Sequence, residues 1–171
     1  AGSGTSSLLW CMPFGAQTPA SWAALGARVY MDRYGVTNRD LGRLSVVQRA
    51  YAARNPAAWF YGKPITLEEH QASRWVVAAV LRLLDCCQEN DGAAAMVLVA
   101  AEKAKDFPHK PCYLLAAVSG SQHRAGAPVH NTPEYASSGF TTVAPRLYRM
   151  AQLGPQDVDV LQSYENFTGG V

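Results

Sequence analysis

Cysteine is scarce and never in metal-binding spacing: Cys11, Cys86, Cys87 and Cys112 contain no Cys-x-x-Cys pair. That argues against a zinc site built from this chain alone. Adjacent residues such as Cys86 and Cys87 rarely bridge each other, so reduced, packed thiols are the expected state. Excess charge is also missing. Fifteen basic residues against thirteen acidic ones leave a net +2, far from the dense positive patch of a nucleic-acid binder. No apolar run reaches the length of a membrane span, and neither a basic nor a hydrophobic leader is visible, so a soluble, cytoplasmic protein is expected. No repeat or low-complexity tract interrupts the 171 residues, of which 49% are hydrophobic. That is enough material for one core in one or two domains.

What the chain does contain is two kinds of apolar segment in alternation. From Ala93 to Ala101 every residue is small or apolar, after the turn pair Asp91-Gly92 and before Glu102 and Lys103. Such a run predicts a strand covered on both faces. Trp75–Leu84 reads as a strand and a turn, Pro111–Ser119 and Val158–Gln162 as further strands, and Leu8–Cys11 as a short one. Helical spacing runs through Trp22, Leu25, Gly26, Val29 and Tyr30 in Pro19–Tyr34, which Gly35 should end. Thr37–Asp40 has capping-box form and opens a second helix, carrying Leu41, Leu44, Val47 and Tyr51 towards Arg54.

Beyond that helix, Ala57–Ile65 is an aromatic loop and Thr66–Glu69 caps a short helical turn. Glu102–Phe107 reads as a short helix or turn, Gly120–Pro133 as a long loop, and Phe140–Leu153 as a helix through Val143, Leu147 and Met150. Strands alternating with helices make the expected class α/β, with the helix-rich block Pro19–His70 inserted between parts of the sheet. The chain opens without an initiator methionine and stops at Thr168–Val171, at the expected start of an apolar helix. Natural termini are usually polar and frayed. A piece of a longer polypeptide is therefore expected.

Three segments carry a family resemblance. Tyr34–Asp40 with the following helix resembles the loop domain of the thiolase superfamily, and Asn90–Ala95 resembles the thiolase motif that enters a central strand. Leu153–Phe167 is similar to the segment in which a turn and an aspartate-rich strand lead into the superfamily's Asn-Glu-Ala-Phe motif. Two departures narrow the likeness. Asp85-Cys86-Cys87, and Tyr164-Glu165-Asn166-Phe167 in place of Asn-Glu-Ala-Phe, resemble the lipid-transfer-protein-type thiolase-like group, which includes steroid side-chain-degrading aldolases.

The resemblance implies a layered α/β/α sheet with a loop-domain insertion, incomplete in this chain. Residues 1–18 would end the first segment of the N-terminal core, 19–84 form the loop domain, 85–118 supply return strands, and 119–171 begin the C-terminal core. It implies retro-aldol cleavage of a β-hydroxyacyl-CoA, a steroid side chain, into a ketone and a short acyl-CoA. It further implies a homodimer, a small partner with an OB-fold and a zinc ribbon that holds the only metal, and no cofactor beyond the CoA of the substrate. The segments that would hold a thiolase nucleophilic cysteine and the Gly-His-Pro motif fall outside these residues. Two alternatives stand beside this one: an acyltransferase of the same group cleaving a 3-ketoacyl-CoA, and a non-catalytic lipid- or CoA-binding scaffold.

The resemblance also assigns site residues. Tyr164 replaces the asparagine that orients a catalytic water in an ordinary thiolase. A retro-aldol needs a base for the β-hydroxyl proton, a stabiliser for the thioester enolate and an acid for its α-carbon. A phenol serves only if its pKa, about 10 when free, is moved towards neutrality. Phe167 takes the place of the phenylalanine that lines the pantetheine channel, and Asn166 flanks the same site. Glu165 either polarises the site or caps the next helix. Cys87 stands where the group has a residue touching the pantetheine arm, although a buried inert thiol is the simpler account, since no neighbouring histidine would generate a thiolate. His123 and Arg124, in the loop Ser119–Gly126, are candidates for acid/base work and for CoA phosphates. Both types are more often plain surface residues, as are Arg146 and Arg149. Trp59, Phe60 and Tyr61 either line an acyl channel or pack.

Overall fold

The computed structural model describes residues 11–120, 139–164 and 166–171. They form two units, one of residues 11–88 with the closing segment 162–171, the other of residues 89–120 with 139–161. His123, Arg124, Glu165 and nearly all of the Gly120–Pro133 loop lie outside the described residues, as does most of the Leu8–Cys11 strand.

In the first unit, helix α1 (Pro19–Tyr34) starts where the Thr18 hydroxyl accepts from the Ser21 N–H, with Pro19 where no intrahelical N–H is needed. Gly35 ends it at a φ of 68°, in the left-handed region that glycine enters without cost. Helix α2 (Asn38–Arg54) opens with the Thr37 N–H donating to Asp40 at 3.0 Å. The short α3 (Leu67–Ala72) has both halves of a capping box. The Thr66 N–H donates to Glu69 Oε2 at 2.7 Å, and the Glu69 N–H donates to Thr66 Oγ1 at 3.1 Å. These are the helices that periodicity and capping residues predict.

An antiparallel hairpin comes next, β1 (Trp75–Val77) and β2 (Leu81–Arg82), then a 3₁₀ turn at Leu83–Asp85. The expected strand-and-turn therefore folds back on itself. Its turn closes through the Val80 N–H to the Val77 carbonyl at 3.1 Å, with Ala79 held at a φ of 62°. The core joins Ala24, Ala27 and Met31 of α1, Leu41 of α2, Val80 and Leu81 of the hairpin, and Phe167 from the closing segment. Leu81 is completely buried, worth about 1.5–3 kcal/mol against exposure.

Helix α1 buries a face other than the expected one, and α2 a face that shares only Leu41 with the expected one. In α1 the small residues Ala24 and Ala27 with Met31 point inwards, while Leu25 and Tyr30 are exposed. In α2 the buried residues are Asn38, Leu41, Gly42 and Ser45, while Val47 and Tyr51 face solvent. The reason is the neighbour. A Cβ added to Gly169 would come within 2.5 Å of Ala27 Cβ, and one added to Gly42 within 2.5 Å of His70 Nδ1. Backbone and imidazole approach these helices closely, and only small residues permit it.

The second unit holds α4 (Phe140–Ala151) and 3₁₀ turns at Ala101–Asp106 and Pro155–Asp157. The three predicted strands Ala93–Ala101, Pro111–Ser119 and Val158–Gln162 are not strands here: they run without regular structure, and Val97, Leu98, Leu114, Val160 and Leu161 are exposed. A strand exists only when a neighbour accepts its ladder of hydrogen bonds, and a covered strand only when layers lie on both faces. Among the described residues nothing supplies either. No helix among them is long and apolar enough to cross a membrane.

Candidate functional site

The closing segment and the hairpin exit, far apart in sequence, meet in the first unit. The Cys87 N–H donates to the Asn166 carbonyl at 2.8 Å, and Cys86 and Phe167 form an isolated antiparallel bridge. The structure thus brings together three of the predicted site residues, Cys87, Asn166 and Phe167, with Tyr164 two residues ahead of the junction. Phe167 is buried in the core. Cys87 and Asn166 are exposed, which corrects the expectation of a buried Cys87. Tyr164 is 91% exposed, so its phenol is available to a ligand. Cys86 is half-buried and its thiol points at the Arg82 carbonyl, 3.5 Å away. Burial first, then the negative charge of Asp85, pushes that thiol above its ordinary value, the opposite of what a nucleophilic cysteine needs.

Beneath this junction lies a polar cluster that pattern reasoning missed. The Asp85 carboxylate, 2% exposed, accepts two hydrogen bonds on each oxygen. Oδ2 takes the Asn38 amide at 2.7 Å and the Arg82 backbone N–H at 2.7 Å. Oδ1 takes His70 Nε2 at 2.8 Å and the Thr168 hydroxyl at 2.8 Å, 83 residues away in sequence. Gln71 Nε2 faces His70 Nδ1 at 3.0 Å and donates to Asn38 Oδ1 at 3.1 Å. An amide N–H towards Nδ1 makes that nitrogen the acceptor, so Nε2 carries the proton and donates to Asp85. The Arg82 guanidinium spans Asn38 Oδ1 and the Ser73 carbonyl and lies 3.8 Å over the Trp75 ring. Asn38 also ties the hairpin turn, donating to the Val80 carbonyl at 2.9 Å.

No buried side-chain nitrogen or oxygen among the described residues is left without a partner. The cluster is therefore a fully satisfied network, the condition under which buried polar groups specify a structure. A signal did exist in the sequence: Asp85 is a single carboxylate at the end of a long apolar run, and a charge at such a place is buried only with partners.

Trp59 and Tyr61 are exposed, while Phe60 lies under the Arg49 guanidinium, 3.5 Å from its centroid. The aromatic loop thus packs on its own helix α2 through Arg49. Arg146 and Arg149, on α4 of the other unit, are partly to fully exposed.

No family model matches the chain. The steroid side-chain-cleaving aldolase of Thermomonospora curvata is 45% identical over 98% of the chain and 43% of its own length. The 17-hydroxy-3-oxo-4-pregnene-20-carboxyl-CoA lyase of Mycobacterium tuberculosis is 44% identical over 91% of the chain and 41% of its length. A solved Ltp2-ChsH2(DUF35) aldolase superposes with a TM-score of 0.94 at 42% identity, over 99% of the chain and 45% of the solved one. The chain thus spans less than half the length of the relatives it matches, and the likeness supports an α/β fold for it. Across nearly its whole length, this chain is related to the thiolase-like steroid side-chain-cleaving aldolases.

Proposed function

We propose that these residues are part of a cytoplasmic acyl-CoA aldolase that cleaves a β-hydroxyacyl-CoA, a steroid side chain, by retro-aldol chemistry. The observation that carries this is the identity of 45% and 44% to an aldolase and a lyase over nearly the full chain. A base takes the β-hydroxyl proton, the bond between the α- and β-carbons breaks, a ketone leaves, and the electron pair rests in the thioester enolate until an acid protonates the α-carbon. Tyr164 is our candidate for one of these proton transfers. Its exposed phenol sits on a segment fastened at its C-terminal side, as a group that must meet a substrate requires. Cys87, Asn166 and Phe167 would border the acyl-CoA, and His123 and Arg124, which lie outside the described residues, are our further candidates for contacts to it. No cofactor beyond CoA is called for.

The same reading makes the apolar runs 93–100, 111–119 and 158–162 strands of a layered α/β/α sheet, with residues 19–84 as the inserted loop domain. Their apolar content supports it, and so does the likeness to a solved aldolase of greater length. That aldolase carries a second protein in its name. We extend this to a small OB-fold and zinc-ribbon partner for the complete subunit, itself a homodimer.

The test is a steady-state assay of the full-length protein, co-expressed with its partner, on a tertiary β-hydroxyacyl-CoA steroid. Tyr164→Phe should lower release of ketone and short acyl-CoA by about 10²–10⁴-fold, the usual contribution of a positioned acid or base, with substrate binding retained. A fully active variant would return Tyr164 to the surface. Wild-type enzyme that instead cleaves a 3-ketoacyl-CoA, and only with free CoA, would be an acyltransferase.

A further inference from the structure

We infer that Thr168 is a positioning residue for Tyr164, acting through its hydroxyl bond to the buried Asp85 carboxylate; the inference rests on the aldolase reading of Tyr164. Tyr164 is 91% exposed, so few neighbours in this chain hold its ring, and its place is set by the backbone that carries it. That backbone is fastened within two residues, a reach of at most about 7 Å. The Cys87 N–H holds the Asn166 carbonyl, Phe167 is buried against Cys86, and Gly169 lies against Ala27. These ties are backbone bonds or apolar contacts. Thr168 supplies the side-chain polar tie, 2.8 Å to Asp85 Oδ1, and is itself 4% exposed.

Asp85 suits this role because nothing about it is loose. Its Oδ2 is held by Asn38 and the Arg82 N–H, and its Oδ1 by His70, which packs into the space left by Gly42. The next two residues are Cys86 and Cys87, the partners of Phe167 and Asn166. One carboxylate therefore sets both sides of the junction: the chain leaving the hairpin and, through Thr168, the chain carrying Tyr164. The cluster is buried where the phenol is exposed, so it acts through the backbone between them. Its effect is on where the phenol stands, and a misplacement of about 1 Å is enough to cost about 10²-fold in rate.

The experiment compares Thr168→Val, which keeps the shape and removes the hydroxyl, with Thr168→Ser, which keeps the hydroxyl, in the full-length protein with its partner. Thr168→Val should lower kcat by about 10–100-fold with KM within about twofold, and Thr168→Ser should stay within about threefold of wild type. Thr168→Ala replaces the valine variant if the latter does not fold. A second readout needs no turnover: the ¹⁹F resonance of 3-fluorotyrosine placed at position 164. It should be shifted or broadened in Thr168→Val and return to the wild-type line in Thr168→Ser. If the resonance and kcat of the valine variant match wild type, or if serine loses as much as valine, the inference is overturned. Should the wild-type enzyme release no ketone, the aldolase reading falls, and the ¹⁹F comparison alone decides whether Thr168 positions Tyr164.

Discussion

The runs Trp75–Leu84 and Ala93–Ala101 carry much the same side chains, yet Val80 and Leu81 of the first are buried and Met96 to Val99 of the second are exposed. The first contains its own partner. A turn at Ala78-Ala79 lets it pair with itself, and its exit is fastened by Asp85 to α2, α3 and the closing segment. The second has no internal turn, no polar anchor and no neighbouring strand among the described residues. Apolar content alone therefore does not bury a segment. What buries it is a set of partners for its backbone and a fixed point for its ends.

The largest way to erase that difference is to remove the fixed point. Asp85→Ala leaves the Asn38 amide, the Arg82 N–H, His70 and Thr168 facing an empty space, and breaking a buried, hydrogen-bonded charge site of this kind costs about 3–5 kcal/mol. Denaturant unfolding of the full-length protein should show it, and with it lost amide protection across Val80–Asp85. Gly42→Ala is the next test. In an open helix position the change would stabilise by about 1 kcal/mol through propensity. Here the new Cβ falls 2.5 Å from the His70 ring, which is wedged against Asp85, so the sign reverses to a loss of about 1–3 kcal/mol. A stabilised alanine variant would mean that His70 moves aside freely and that the cluster is less rigid than its bonds suggest.

The helices were legible because their signals are local: Thr37 and Thr66 stand at two starts and Gly35 at an end, as capping chemistry requires. Their orientation was not. The spacing of Leu25, Tyr30, Val47 and Tyr51 marks an apolar face, but the faces buried here are those of Ala24, Ala27, Gly42 and Ser45. What selects a small face is the close approach of Gly169 and His70, contacts between residues far apart in sequence. The candidate site divides in the same way. Tyr164, Asn166, Phe167 and Cys87 were readable from a motif, and the structure joins the last three. His70 and Thr168 carry no motif, Asn38 stands in one that marks only a helix start, and only the fold turns them towards one carboxylate.

The smallest expected effect concerns the start of α2, which aims Asn38 at both Val80 and Asp85. The Asp40 carboxyl is held below its ordinary value, first by the Thr37 hydroxyl and then by the Thr37 N–H, with Arg43 and Arg39 adding attraction. A carboxylate whose folded pKa is lowered stabilises the fold above its unfolded pKa of about 3.9, and that contribution fades as pH falls through the folded value. Thermal unfolding of wild type and Asp40→Asn should therefore differ most between about pH 5 and 7 and converge below about pH 4. The gap should narrow in high salt only by the share owed to the two arginines, because the bonds to Thr37 are short and local. A gap that persists unchanged into acid would show that the asparagine disturbs the helix start sterically. Convergence would tie the aim of Asn38, and through it the burial of the hairpin run, to a single surface carboxylate.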